Sequence, residues 1–285
     1  LELLSRGLDE KGWIELCMPA KIGLAIPSFT LSWVMALGDY LDHRGNLDFL
    51  RTMMPALRKV MDARADELVD GLLPCPRGKR YWQFYDWEKD LSGSLSKVLA
   101  GEDAAAEDQF EAPLNLFAVL AFESAARCAE AVRETGDATR WRQAADRIRS
   151  AVCQKLWNKE KRQIETRLGG SLAPAELSQA LALLANAVPE ADRDAVVKKL
   201  SAPSEWTLTS LSQSLYKYEA LLSAGGDAAK AARREIAEVW SGMLREGATS
   251  FWEVRTGWKA FGGAGSLCHG WSAIPVYFYG AYLNG

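Results

Sequence analysis

The fold is indicated most clearly by residues 112–157, which read APLNLFAVLAFESAARCAEAVRETGDATRWRQAADRIRSAVCQKLW. On both sides of Gly136-Asp137, apolar residues recur at the spacing of an amphipathic helix. Glycine ends a helix readily because it takes a left-handed conformation at low cost, and aspartate can cap the helix that follows. The segment therefore predicts a helical hairpin, with helices over residues 112–135 and 138–157.

The same punctuation recurs along the chain, at Arg44-Gly45-Asn46 and at Gly225-Gly226-Asp227. A proline, Pro189, divides a fourth pair, and Pro275 should kink or restart a last helix. Alternation near Arg162 to Arg167 predicts a short β-hairpin. The further predicted helices cover residues 27–43, 47–69, 175–188, 190–201, 207–224, 228–246 and 267–283. About nine helices in hairpins, joined by long aromatic loops, predict an all-α toroid in one domain over residues 1–285, with the loops gathered at one end.

Composition excludes several classes of partner. The 285 residues carry a formal net charge of -3, and the basic residues are scattered among acidic ones, so no nucleic-acid surface is predicted. No run of 18 apolar residues occurs, so no membrane span is predicted. Eleven tryptophans and eight tyrosines suit the stacking of sugar rings, although large helical cores also use these residues.

Glu253 is the first candidate for chemistry. It lies between Trp252 and Trp258 in a stretch too rich in glycine for a helix. A carboxylate that loses hydration beside aromatic rings can serve as a general base or acid. The alternative is a structural glutamate paired with Arg255 or Lys259.

Three further residues are candidates for binding. His269, one of only two histidines, is predicted near the start of the last helix, with Ser266 as its cap; the alternative is a histidine of the core. Asp86 and Trp87 follow two aromatic residues, and this pair could supply a hydroxyl acceptor beside a stacking ring. Equally, the aspartate could anchor its loop.

The residues that metal, cofactor or serine-nucleophile chemistry would need are not found in the sequence. No second histidine or cysteine stands at ligand spacing from His269, so no metal is predicted, and no phosphate-binding loop indicates a cofactor. A Gly-x-Ser-x-Gly elbow is also missing. The acidic residues Asp90, Glu102, Asp103, Glu107 and Asp108 are interpreted as a solvated loop. Carboxylate chemistry in an aromatic cleft is what remains.

Three motifs resemble one family. The stretches GATSFWE at 247–253 and SLCHGWSA at 266–273 resemble the end of the catalytic domain of bacterial α-L-rhamnosidases of glycoside hydrolase family 78. FYDW at 84–87 is similar to the Gly-Asp-Trp loop of that family. Many members have Asn-His-Tyr where this chain has Cys268-His269-Gly270, and Arg-Trp where it has Val254-Arg255.

The resemblance implies a six-hairpin α/α toroid that cleaves terminal α-L-rhamnosides with inversion. It implies that Glu253 is the general base, that His269 contacts the sugar near the attacking water, and that Trp87 lines the pocket. Asp86, Trp252 and Trp258 are our further predicted sugar contacts. The family's general acid is expected upstream of Leu1. We therefore expect this sequence to be a fragment of the toroid that lacks about one hairpin and the flanking β-domains. A bacterial cytoplasm or periplasm is implied, without a choice between them.

Two alternatives to rhamnoside hydrolysis remain open at this stage. One is another six-hairpin glycosidase acting on glucosides or uronides, because one fold hosts many specificities. The other is a non-catalytic carbohydrate-binding protein that kept the aromatic cleft and lost the acid.

Overall fold

The computed structural model describes residues 1–103, 105, 109–170, 172–203 and 205–283. Helices dominate, which confirms the all-α fold class. They are α1 (Glu2–Ser5), α2 (Pro27–Arg44), α3 (Leu47–Asp66), α4 (Leu95–Leu99), α5 (Ala112–Ala131), α6 (Thr135–Lys155), α7 (Glu176–Leu184), α8 (Arg193–Leu200), α9 (Ser214–Ala224), α10 (Gly226–Arg245) and α11 (Ile274–Phe278). A π-helical turn, Tyr279–Leu283, follows α11.

The long helices form antiparallel pairs: α2 with α3, α5 with α6, α7 with α8, and α9 with α10. Within this arrangement α2 packs on α5, α5 on α7, and α7 on α9, so these four form an inner layer covered by their partners. Each inner helix runs in the same direction, because each is separated from the next by one returning helix. The loops that precede the inner helices therefore lie at the same end of the molecule, as predicted.

The hairpin junction at Gly45 has the predicted chemistry. Gly45 takes a left-handed conformation (φ 61°) and its N–H bonds the Leu41 carbonyl. Asn46 then caps α3, its side chain accepting the Phe49 N–H at 3.0 Å. At the junction in 112–157 the prediction was wrong in detail: α6 begins at Thr135, and the left-handed residue is Arg133 (φ 70°) rather than Gly136.

Two predicted helices begin too early. Residues 207–213 do not join α9, because the backbone N–H groups of Thr209 and Ser210 bond carboxylates of other segments. Residues 267–273 are not helical apart from a 3-10 turn at Gly270–Ser272, and α11 starts at Ile274 with Pro275 in its first turn. The predicted restart at Pro275 is thus confirmed, and the predicted helical setting of His269 is wrong.

The predicted β-hairpin is present as β1 (Trp157–Asn158) and β2 (Gln163–Ile164), paired antiparallel. The main core lies between the helix layers and includes fully buried Trp141, Phe117 and Phe122. Among the described helices, none combines the length and hydrophobicity needed to cross a bilayer.

Candidate active site

Three loops meet at the end of the molecule where the inner helices begin. The loop over residues 80–94 is joined to the segment before α9 by a bond from the Ser210 N–H to Asp86 Oδ2, at 2.9 Å. It reaches the loop over residues 246–273 through Trp87 and Phe261, whose ring centres are 4.9 Å apart. The aromatic stretches singled out in the sequence are therefore neighbours in space.

Glu253 is fixed by reciprocal bonds to Ser266. The Glu253 N–H donates to the Ser266 carbonyl at 2.9 Å, and the Ser266 N–H donates to Glu253 Oε2 at 3.2 Å. The side chain is only 13% exposed. Neither Arg255 nor Lys259 forms an ion pair with it, so the paired-glutamate interpretation is wrong; Arg255 pairs with Glu235 instead.

His269 faces the same carboxylate. Its Nδ1 lies 3.9 Å from Glu253 Oε2, and its ring packs against Trp271 at an angle of 37°, with centres 4.3 Å apart. The position is set by the backbone, since the His269 N–H donates to the Phe251 carbonyl at 2.7 Å and Trp271 Nε1 donates to the Glu253 carbonyl at 2.9 Å. Ser266 bonds the Cys268 N–H rather than capping a helix.

This arrangement leaves Glu253 with a carboxylate oxygen available. Oε2 is occupied by Ser266, whereas Oε1 accepts no hydrogen bond from the described residues. A carboxylate held on one oxygen and open on the other can orient a water molecule and take its proton. Gly270 and Trp271, next along the chain from His269, border a cavity of about 720 Å³ beside α2 and α9. Neither Glu253 nor His269 lines this cavity.

The two tryptophans that flank Glu253 in sequence lie together at a different cavity. Trp252 is buried and packs in the main core, while Trp258 is 58% exposed. Both line a cavity of about 130 Å³ beneath Gly247 and Ala248, which Glu253 does not line. Their contact with a sugar stays a prediction.

Asp86 serves as a loop anchor. It is buried, with Oδ1 accepting the Trp87 N–H at 2.8 Å and Oδ2 accepting the Ser210 N–H. Burial raises its pKa to about 7, against the lowering effect of those hydrogen bonds. Trp87 packs against Phe84 and Phe261, and its Nε1 is buried without a partner among the described residues. Whether either residue touches a sugar stays a prediction.

A network of buried charges under these loops was missed by sequence reasoning. Lys217 is buried between Glu176 Oε1 at 2.8 Å and Glu235 Oε2 at 2.9 Å. Glu235 reaches Arg255 at 3.4 Å, and Glu176 Oε2 accepts the Thr209 N–H at 3.0 Å. The signal available in the sequence was a lysine between tyrosines in the apolar face of α9.

The acidic stretch is only partly exposed where the structure describes it. Asp90 and Glu102 are exposed, and Asp103 pairs with Arg77. Glu107 and Asp108 lie outside the described residues.

Comparison with known proteins gives a family. The model of the bacterial α-L-rhamnosidase six-hairpin glycosidase domain matches residues 2–283. Curated proteins give no significant match.

Solved structures give the same fold. A family 78 rhamnosidase of Bacillus sp. GL1 superposes with a TM-score of 0.83 at 25% identity, over 98% of this chain and 29% of the other. A rhamnosidase from Klebsiella oxytoca with rhamnose bound gives 0.73 at 20% identity, over 95% and 50%. A family 63 mannosylglycerate hydrolase from Thermus thermophilus in complex with glucose gives 0.64 at 15% identity, over 98% and 86%.

These neighbours confirm the predicted α/α toroid. The chain spans less than a third of the Bacillus enzyme and half of the Klebsiella enzyme. With the family model covering residues 2–283, the chain belongs to the bacterial α-L-rhamnosidase six-hairpin glycosidase domains, a family of glycoside hydrolases.

Proposed function

We propose that this domain hydrolyses terminal α-L-rhamnosides with inversion of configuration and that Glu253 is the general base. The observation that carries the proposal is the Glu253 carboxylate itself, which is nearly buried, held by Ser266 and faced by His269 within a rhamnosidase-family fold. Rhamnose bound to the Klebsiella relative supports the choice of sugar.

In the proposed mechanism Glu253 Oε1 accepts a proton from the attacking water while Oε2 stays bonded to the Ser266 N–H. His269 fixes the water or a sugar hydroxyl beside it, and Trp87 supplies an apolar ring for the sugar. Inversion also requires a carboxylic acid on the opposite side of the glycosidic bond, about 6.5–9.5 Å from the base, to protonate the leaving oxygen.

The test is Glu253→Gln in the full protein that carries these residues, assayed on nitrophenyl α-L-rhamnoside. Loss of the base should lower kcat by roughly 10² to 10⁴ while rhamnose binding persists. Glu238→Gln is the matched control, because Glu238 is exposed on α10 without an ion pair among the described residues. Unchanged kcat in Glu253→Gln would refute the assignment.

Two measurements separate the alternatives. A panel of nitrophenyl glycosides distinguishes rhamnoside hydrolysis from glucoside or uronide hydrolysis. This test is needed because the family 63 neighbour shares the fold, and one fold hosts many specificities. NMR identification of the sugar anomer that is released first tests inversion. Sugar binding without hydrolysis of any glycoside would favour the non-catalytic alternative.

A further inference from the structure

Trp271 contacts both residues that the proposed mechanism uses at the base. Its Nε1 donates a hydrogen bond to the Glu253 main-chain carbonyl at 2.9 Å. Its ring packs against the His269 ring, with centres 4.3 Å apart. Because the bond goes to the main chain of Glu253, it takes up neither carboxylate oxygen. A single side chain, itself partly buried, therefore contacts the proposed base and its neighbour together.

The hydrogen bonds around Glu253 differ in how far they depend on a side chain. The Glu253 N–H is bonded to the Ser266 carbonyl, main chain to main chain. The His269 N–H is bonded in the same way to the Phe251 carbonyl. By contrast, the Glu253 carbonyl has the Trp271 indole as its only donor among the described residues. Removal of that N–H would free one end of Glu253 while the other end stays held.

The orientation of the His269 imidazole depends on the same indole. Within the described residues its ring makes no hydrogen bond, and the 3.9 Å from Nδ1 to Glu253 Oε2 is beyond hydrogen-bond distance. The side chain is 36% exposed. Without the Trp271 ring, which lies at 37° to the imidazole, other rotamers of His269 would become accessible.

The indole has packing contacts of its own. It packs against a small hydrophobic cluster formed by Ile26, Trp82, Phe84 and Val98, and two of these residues belong to the loop over residues 80–94. Packing of this kind fixes a rotamer, so the ring has a defined position. Trp271 also borders the cavity of about 720 Å³ beside α2 and α9. A direct contact with substrate is therefore the alternative that an experiment has to exclude.

We propose that Trp271 is a positioning residue for glycoside hydrolysis: its N–H holds the main chain of Glu253, and its ring holds the imidazole of His269. It acts through these two residues rather than on the substrate. The proposal rests on the proposed function, in which Glu253 is the base. Small displacements are enough, because moving a catalytic group by about 1 Å can cost about 100-fold in rate.

The experiment compares the wild-type full protein with Trp271→Phe, which keeps an aromatic ring and loses the N–H, and with Trp271→Leu, which loses both. Steady-state kinetics are measured on the glycoside that the protein hydrolyses. Trp271→Phe should lower kcat about 10-fold with KM within about threefold of wild type, and Trp271→Leu should lower kcat about 100-fold.

Trp33→Phe is the matched control. The Trp33 indole also donates to a main-chain carbonyl, that of Leu1, at 3.0 Å, and Trp33 lies on α2, outside the three site loops. Trp33 is more deeply buried than Trp271, so Trp33→Phe should lose at least as much stability in urea unfolding as Trp271→Phe. Only Trp271→Phe should lose kcat, a difference that a merely structural role would not produce.

A double-mutant cycle tests the route through His269. In a His269→Ala background the ring has no imidazole to hold, so Trp271→Phe and Trp271→Leu should agree in kcat within about twofold. Three results would overturn the proposal: a difference of about tenfold in that background, a kcat of Trp271→Phe within about twofold of wild type, or a higher KM at unchanged kcat. The last would mean that the ring binds substrate directly.

Failure of the positioning role and failure of the proposed function give different results. Rhamnoside hydrolysis that is insensitive to Trp271→Phe removes the positioning role alone. Hydrolysis of another glycoside but not of rhamnosides, with the expected pattern in the Trp271 variants, removes the proposed substrate and supports the positioning role. A protein that hydrolyses no glycoside has no reaction for Trp271 to support, and both proposals fall.

Discussion

Lys217 offers the sharpest test of how the site loops are supported. Its side chain is 6% exposed and its ammonium contacts Glu176 and Glu235 at 2.8 and 2.9 Å. Replacement by methionine keeps most of the volume and removes the charge, so a cavity contributes little to the expected loss. The loss should come from the carboxylates that remain.

The two carboxylates contribute unequally. Glu176 is 2% exposed, and without Lys217 its charge keeps only the Thr209 N–H and hydroxyl as partners. Breaking a buried pair in this way costs about 3–5 kcal/mol, because an uncompensated charge stays in a low-dielectric interior. Glu235 is 28% exposed and still has Arg255, so it adds at most about 1 kcal/mol.

Urea unfolding of the wild-type protein and of Lys217→Met measures the loss in free energy of unfolding. The loss is calculated from the shift of the transition midpoint, provided that the denaturant m-value is the same for both proteins. Adding Glu176→Gln to Lys217→Met should recover most of it, since glutamine is neutral and can still accept from Thr209. Lys230→Met is the matched control: Lys230 contacts Asp227 at 2.9 Å, but both side chains are exposed, so its midpoint should barely move. A loss below about 1 kcal/mol in Lys217→Met, or a double variant no more stable than the single one, would refute this reasoning.

Two further predictions concern the loops themselves. Burial raises the Asp86 pKa from 3.8 to about 7, so the folded state binds this proton more tightly than the unfolded state does. The protonated carboxyl group therefore contributes its full stability below about pH 4, and this contribution is lost as the pH rises to about 7. Asp86→Asn should flatten that slope in unfolding midpoints taken between pH 4 and 8, and an unchanged slope would contradict it. A Cβ on Gly265 would overlap the Gly257 carbonyl oxygen, so Gly265→Ala should displace Ser266 and lower both kcat and stability. Gly136→Ala, which meets no atom within 4 Å, should do neither, and equal effects of the two changes would count against this steric account.

Sequence reasoning located the hairpins because their signals are local. Gly45 and Asn46 act within a few residues of their own positions, and the pattern of residues 112–157 needs no distant partner. Sequence reasoning failed where side chains from distant segments accept hydrogen bonds from backbone N–H groups. The N–H groups of Thr209 and Ser210 are taken by Glu176 and Asp86, so α9 begins at Ser214 although the apolar residues before it would also fit a helix.

The candidate site divides in the same way. Glu253 and His269 could be named from motifs because each stands in a recognisable stretch, and the fold brings their side chains to 3.9 Å. The tryptophans beside Glu253 in sequence were expected to surround it, yet Trp252 turns into the core and bonds Ser272 through its carbonyl. The contact between Lys217 and Glu176 joins residues that are 41 positions apart, and no spacing in the sequence indicates such a contact.

Asp86 and Glu88 lie two residues apart, and their surroundings differ. Both Asp86 oxygens accept backbone N–H groups, so a ligand hydroxyl that displaced either bond would leave a buried donor unpaired, at a cost of about 1–3 kcal/mol. Glu88 accepts no such bond from the described residues. For the loop over residues 80–94, Asp86 is therefore the anchor, because it holds the loop against Ser210.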